Sequence, residues 1–167
     1  MPKQYLIGID PGMNVGYAKF SDIKTLMNYG TLKINRKQKQ YLEDPLDVLM
    51  TRVATMFSES ASFADHCKYE EKICVIEGTF IGPNKKVAMD LAENKGRIKS
   101  IAQQFGFRTE EIHPSHWQRK MNLNDVTAAY WAKGTYPHFY GDKHAACAVA
   151  ICWCWLNEQF ERELLGL

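Results

Sequence analysis

The sequence predicts an α/β fold: a five-stranded mixed sheet, opening with a three-strand meander and flanked by helices. Three observations carry that reading. Short apolar runs separated by turn residues fill 5–34, amphipathic helical spacing then alternates with single strand-like runs, and the chain closes on a long alanine-rich helical segment.

Taken in order, Tyr5, Leu6, Ile7 and Ile9 make a buried-strand pattern over 5–10 that ends on Asp10. Pro11 and Gly12 turn the chain into a second strand over 16–21, and 25–34 reads as the third. "KINRKQK", 33–39, is a basic connection. Leu42, Leu46, Leu49, Val53, Met56 and Phe57 recur with helical spacing over 41–64, with Asp44 as N-cap before Pro45. "KICVIE", 72–77, is a buried strand that again ends in an acid. Val87, Leu91 and Ile98 mark a second amphipathic helix over 85–105, with Gly106 as its stop. "FRTEEI", 107–112, reads as a strand, 114–121 as a turn or short helix, 122–141 as loop or weak helix, and 143–165 as the last helix.

The 167 residues suit one domain, expected to span 1–167. Composition is that of a globular chain, 46% apolar and 24% charged. The 21 basic against 19 acidic residues leave a net charge of +2, which excludes a histone-like polycation but not a nucleic-acid enzyme. The start, Met1-Pro2-Lys3-Gln4, is unlike a secretion signal, and the longest apolar run, 145–156, is too short for a bilayer. Five cysteines with no CxxC pair fit a reduced compartment. The expectation is a cytoplasmic protein with no membrane partner.

Asp10 and Glu77 matter as a pair. Each closes an apolar strand, and each is followed closely by a glycine, Gly12 or Gly78. Alone, either acid reads as a solvent-facing strand end. If their strands are neighbours, the two carboxylates meet at one sheet edge and raise each other's pKa unless a cation lies between them. A divalent metal with oxygen ligands answers that need. In "GDKHAACAVAI", 141–151, helical spacing puts His144, Cys147, Ala148 and Ile151 on one side. His144 lies in the first turn, where an imidazole can reach out as a ligand. Asp142 reads first as the N-cap and Cys147 first as a small core residue.

These segments carry a resemblance. "IGIDPGMNVGYA", "VIEGTFIGPNKKVAMDLAENKG" and "HAACAVAI" resemble, in order, the three conserved blocks of the RuvC family of Holliday junction resolvases, within the RNase H-like superfamily. The resemblance implies an RNase H-like fold and a nuclease site of Asp10, Glu77 and His144, with Asp142 as a fourth member. It also implies two Mg²⁺ ions, replaceable by Mn²⁺, with Asp10 as the candidate bridge between them. Phe80 stands where the family inserts an aromatic at the strand-exchange point, and Lys85, Lys86, Arg119 and Lys120 are candidate phosphate contacts. The implied partners are four-way junctions, other branched DNA and a second copy of the chain. The homodimer would nick opposing strands symmetrically, with helix 85–105 at the subunit contact. The short chain resembles phage-encoded members, whose setting would be the host cytoplasm.

One departure bears on activity. The family's last helix offers two acids three residues apart, and those positions here are His144 and Cys147. A thiolate suits Mg²⁺ poorly. Either Asp142 substitutes, or the site works with fewer ligands, or catalysis is weakened and the protein binds branched DNA without cutting it. An actin-like ATPase, suggested by "GIDPGMNVG", would need a second domain and a second glycine-rich loop. The Lys-Ser/Thr of a P-loop is missing as well.

Overall fold

β1 (Gln4–Asp10), β2 (Asn14–Ser21) and β3 (Thr25–Lys33) form the expected meander. They are followed by α1 (Pro45–His66), β4 (Glu71–Glu77), α2 (Lys85–Gln104), β5 (Arg108–Ile112), α3 (Pro114–Met121), α4 (Asp125–Thr135) and α5 (Lys143–Leu165). This computed structural model describes residues 3–21, 25–34, 44–78 and 84–166. Phe80, the start of the helix expected from 41, and most of "KINRKQK" lie outside those residues.

The sheet order is β3-β2-β1-β4-β5. The meander is antiparallel, whereas β4 pairs parallel with β1 and β5 parallel with β4. The sheet is therefore mixed, with β1 at its centre. Alternation along the central strands divides the core into two layers. Leu6, Ala18, Phe20, Ile73 and Val75 pack on the side of α5. Tyr5, Ile7, Ile9, Val15, Cys74 and Ile76 pack on the side of α1, with Leu49, Val53 and Phe57, and α2 adds Ile98 and Ala102.

Two glycines set how closely α5 approaches the sheet. A Cβ on Gly8 would lie 2.4 Å from the Ala148 carbonyl oxygen, and one on Gly16 would lie 2.1 Å from that of His144. Only a missing side chain lets the helix backbone rest on the strands there. The alanines of α5 complete the close packing: Ala145, Ala146, Ala148 and Ala150 are all fully buried.

Caps confirm the sequence signals at several helix ends. Asp44 accepts from the Leu46 amide ahead of Pro45, and Gly106 follows the α2 cap with φ of 79°. Within 122–141, read as loop or weak helix, α4 occupies Asp125–Thr135. Asn124 accepts from the Val126 and Thr127 amides while the Thr127 hydroxyl accepts from the Asn124 amide, a reciprocal cap that fixes the start of α4. Among the described residues no helix is long and apolar enough to cross a membrane.

Candidate active site

β1 and β4 run parallel in register, with Ile9 opposite Ile76, so the next residues, Asp10 and Glu77, end neighbouring strands at the same edge. On the other flank of β1, Asp10 pairs with Gly16. The space over Gly16 is where the first turn of α5 lands. That landing brings His144 to Asp10: its Nδ1 lies 2.8 Å from Asp10 Oδ2. Three residues far apart in the chain thus converge at one edge of the sheet.

The electrostatics of this edge are those of two carboxylates held close together in a largely buried place. Burial, and then the charge of Asp10, push the Glu77 carboxyl up to about 7. Against them works a hydrogen bond from Trp117, whose Nε1 donates to Glu77 Oε1 at 2.7 Å. Trp117 is fully buried and braces the carboxylate as well. The hydrogen bond to Asp10 raises His144 above the ordinary histidine value, overcoming the opposing effect of burial. With Nδ1 turned to Asp10, Nε2 is the ring nitrogen left for a ligand or a proton.

Asp142 occupies a different place from the one expected of a fourth ligand. Its Oδ1 accepts from the Thr31 hydroxyl at 2.5 Å and from the His144 and Ala145 amides at 3.1 and 3.2 Å. Its Oδ2 pairs with Lys33 at 3.0 Å. Burial alone would raise this carboxyl, but the bonds from Thr31 and Lys33 outweigh it and hold it at about 2. Both oxygens are engaged, so Asp142 seats the first turn of α5 on β3 and holds His144 in position.

Cys147, one turn beyond His144, is buried. Burial first, then the charges of Asp10, Asp125 and Glu77, push its thiol far up, so it stays protonated and is no ligand for a hard cation. Those charges reveal a carboxylate that the sequence reading did not reach. Asp125 is the first residue of α4, its Oδ1 accepts from Gln118 Nε2 at 2.9 Å, and its charge is felt at both Glu77 and Cys147. Consecutive residues of α3, Trp117 and Gln118, therefore hold Glu77 and Asp125. The signal that finds Asp125 is the Asn124/Thr127 capping pair, which places a helix with an acid in its first turn within the stretch read as loop or weak helix.

Lys85 and Lys86 are exposed on the first turn of α2, and Arg119 is exposed on α3. Lys120 faces α5 instead, with Nζ 2.7 Å from Glu161 and 3.5 Å from Glu158, so a phosphate would have to compete with two carboxylates. The donor set at the sheet edge fits a hard divalent cation. Two carboxylates share an edge where one is held near neutrality only by a proton, and an imidazole stands beside them.

No protein-family model matches the chain. It is similar to the crossover junction endodeoxyribonuclease RuvC of Rickettsia typhi, with 29% identity over 114 residues, which span 66% of each protein, just under two thirds. The structure superposes on Thermus thermophilus RuvC in complex with a Holliday junction substrate with a TM-score of 0.71 at 16% identity, covering 94% of this chain and 96% of that one. It also matches the yeast mitochondrial Holliday junction resolvase, with a TM-score of 0.52 at 16% identity over 97% and 81% of the two chains. At such identities the two structures establish a shared fold.

Proposed function

We propose that this chain, a RuvC-family homologue of RNase H-like fold, is a metal-dependent endonuclease acting on four-way DNA junctions and related branched DNA. One observation carries the reading. Asp10 and Glu77 end adjacent parallel strands, and α5 folds back over Gly16 to set His144 against Asp10.

Asp10, Glu77 and His144 would hold divalent metal, Mg²⁺ or Mn²⁺, whose chemistry when bound is to activate water and to stabilise the departing 3′ oxygen of a phosphodiester. The chain's own residues prepare that chemistry. Glu77 must lose its proton to act as a ligand, and the Trp117 hydrogen bond favours the ionised form. Asp10 orients the His144 ring and raises its proton affinity, so Nε2 can hold a proton or a ligand at the sheet edge. Asp142 keeps the ring in reach by capping α5. Asp125 supplies from α4 the negative charge that Cys147 does not supply from α5.

Substrate contacts fall to Lys85, Lys86 and Arg119, with Phe80 for unpaired bases at the branch. A homodimer would present two such sites for symmetric nicks. Val87 and Met89 are 49% and 71% exposed on the first turns of α2, which supports that helix as the subunit contact. The buried, protonated Cys147 favours one second reading: a protein that binds branched DNA and has lost the cut.

The test is a labelled mobile four-way junction incubated with the protein in Mg²⁺, in Mn²⁺ and in EDTA. Paired, metal-dependent nicks in opposing strands are expected. Structure-selective binding without nicks under any metal would overturn the nuclease reading in favour of the second. Asp125→Asn is expected to slow nicking with binding intact, and unchanged nicking would remove Asp125 from the site.

A further inference from the structure

His116, Cys154 and Glu158 form a cluster that the nuclease reading does not use. Cys154 and Glu158 are four residues apart on α5 and so share one face, and His116, on α3, meets them there. The ligand atoms of the three side chains all lie within 4.8 Å of one another, and His116 Nε2 contacts Glu158 Oε1 directly. His116 and Glu158 line a surface cleft of 530 Å³ whose wall also includes Ile112, His113, Lys120 and Arg162, whereas Cys154 is fully buried and is not part of that wall.

We propose that this cluster is a binding site for a borderline-soft divalent cation, Zn²⁺ in the first instance, distinct from the carboxylate edge at Asp10 and Glu77. The donor set decides the class. One imidazole nitrogen, one sulfur and one carboxylate oxygen make a three-ligand set typical of Zn²⁺, with a fourth position open to water, and a sulfur ligand disfavours Mg²⁺ and Ca²⁺. Tetrahedral Zn²⁺, with bonds of about 2.0–2.3 Å, separates its ligand atoms by about 3.5 Å. To reach that spacing the short His116–Glu158 contact opens and the longer separations, up to 4.8 Å, close, through side-chain rotations. The fourth ligand can enter from the cleft. Lys120, now 3.5 Å from Glu158 and 2.7 Å from Glu161, would give up the Glu158 oxygen and keep the closer Glu161. Binding displaces the Cys154 thiol proton to buffer. It also ties α3 to α5 beside Trp117, the residue that holds Glu77.

Co²⁺ is the probe, added to the full-length, metal-stripped protein without Mg²⁺. One equivalent is expected to give a sulfur-to-metal charge-transfer band in the near ultraviolet and intense tetrahedral bands in the visible, both lost on adding Zn²⁺. His116→Gln and Glu158→Gln, which alter side chains at the cleft surface, are each expected to weaken binding at least about tenfold. Cys154→Ser is expected to remove the sulfur band. Asp10→Asn is expected to leave every band unchanged, which separates this site from the sheet edge. Absence of the sulfur band in the unaltered protein would overturn the proposal, as would its persistence in Cys154→Ser. Either result leaves the nuclease reading standing.

Discussion

Replacing Glu77 with glutamine should stabilise the metal-free protein at alkaline pH. The carboxyl titrates at about 7 in the folded chain, against 4.5 for an ordinary glutamate, because burial and Asp10 disfavour its charge. The unfolded chain therefore releases this proton earlier than the folded one. Between the two values the folded state holds the extra proton, so stability falls as pH rises from the lower to the higher. A displacement of that size corresponds to about 3 kcal/mol once both states are ionised. The amide carries no charge, can still accept from Trp117 Nε1, and can donate to Asp10. Urea denaturation in EDTA at pH 5 and pH 8.5 reads the effect. The wild-type chain should lose about 2–3 kcal/mol relative to Glu77→Gln between the two conditions. Saturating Mg²⁺ should then recover the wild type at pH 8.5 and leave the variant unchanged. Parallel pH curves for the two proteins would refute the anion-pair account of this edge.

Gly16→Ala would place a Cβ 2.1 Å from the His144 carbonyl oxygen, with backbone on both sides. A stability loss of about 3 kcal/mol by denaturant titration is expected, with nicking reduced about 100-fold as His144 leaves Asp10. Trp117→Phe removes the bond that lowers the Glu77 carboxyl, so the acid limb of the pH–rate profile should move to higher pH. The same change should cost about 2 kcal/mol of stability. Asp142→Ala should cost about 1 kcal/mol through loss of the α5 cap, and Asp142→Asn less. Because Asp142 lies below the ordinary aspartate value, its stabilising contribution is present above about pH 4 and disappears as pH falls through about 2, which acid denaturation of wild type against Asp142→Asn will show.

Much of this architecture is legible in the sequence because the signals are local. Short apolar runs mark the strands, Asp44-Pro45 marks the start of α1, and two acids at strand ends mark the edge of the sheet. What joins the site is not local. Gly16 faces the backbone of a helix that begins more than a hundred residues later. Nothing in its neighbourhood says that a methyl group would collide there. Asp142 shows the same limit from the other side: an N-cap pattern gives one of its roles, while Thr31 and Lys33 reach it only through the fold. Asp125 escapes because apolar residues fall on several sides of α4, with Val126 and Tyr130 exposed, so no amphipathic stripe marks the helix, and its bearing on Glu77 depends on where α3 and α4 pack. Lys120 reads as a phosphate contact in one dimension and as the partner of Glu158 and Glu161 in three.

Asp10 and Glu77 are proposed above to form a metal-dependent cutting site on a surface that recognises branched DNA. Asp10→Asn tests that role most directly, compared with wild type for binding to a four-way junction in EDTA and for nicking in Mg²⁺. Binding within about twofold of wild type and no nicks are expected. A variant that nicks at the wild-type rate would contradict that role.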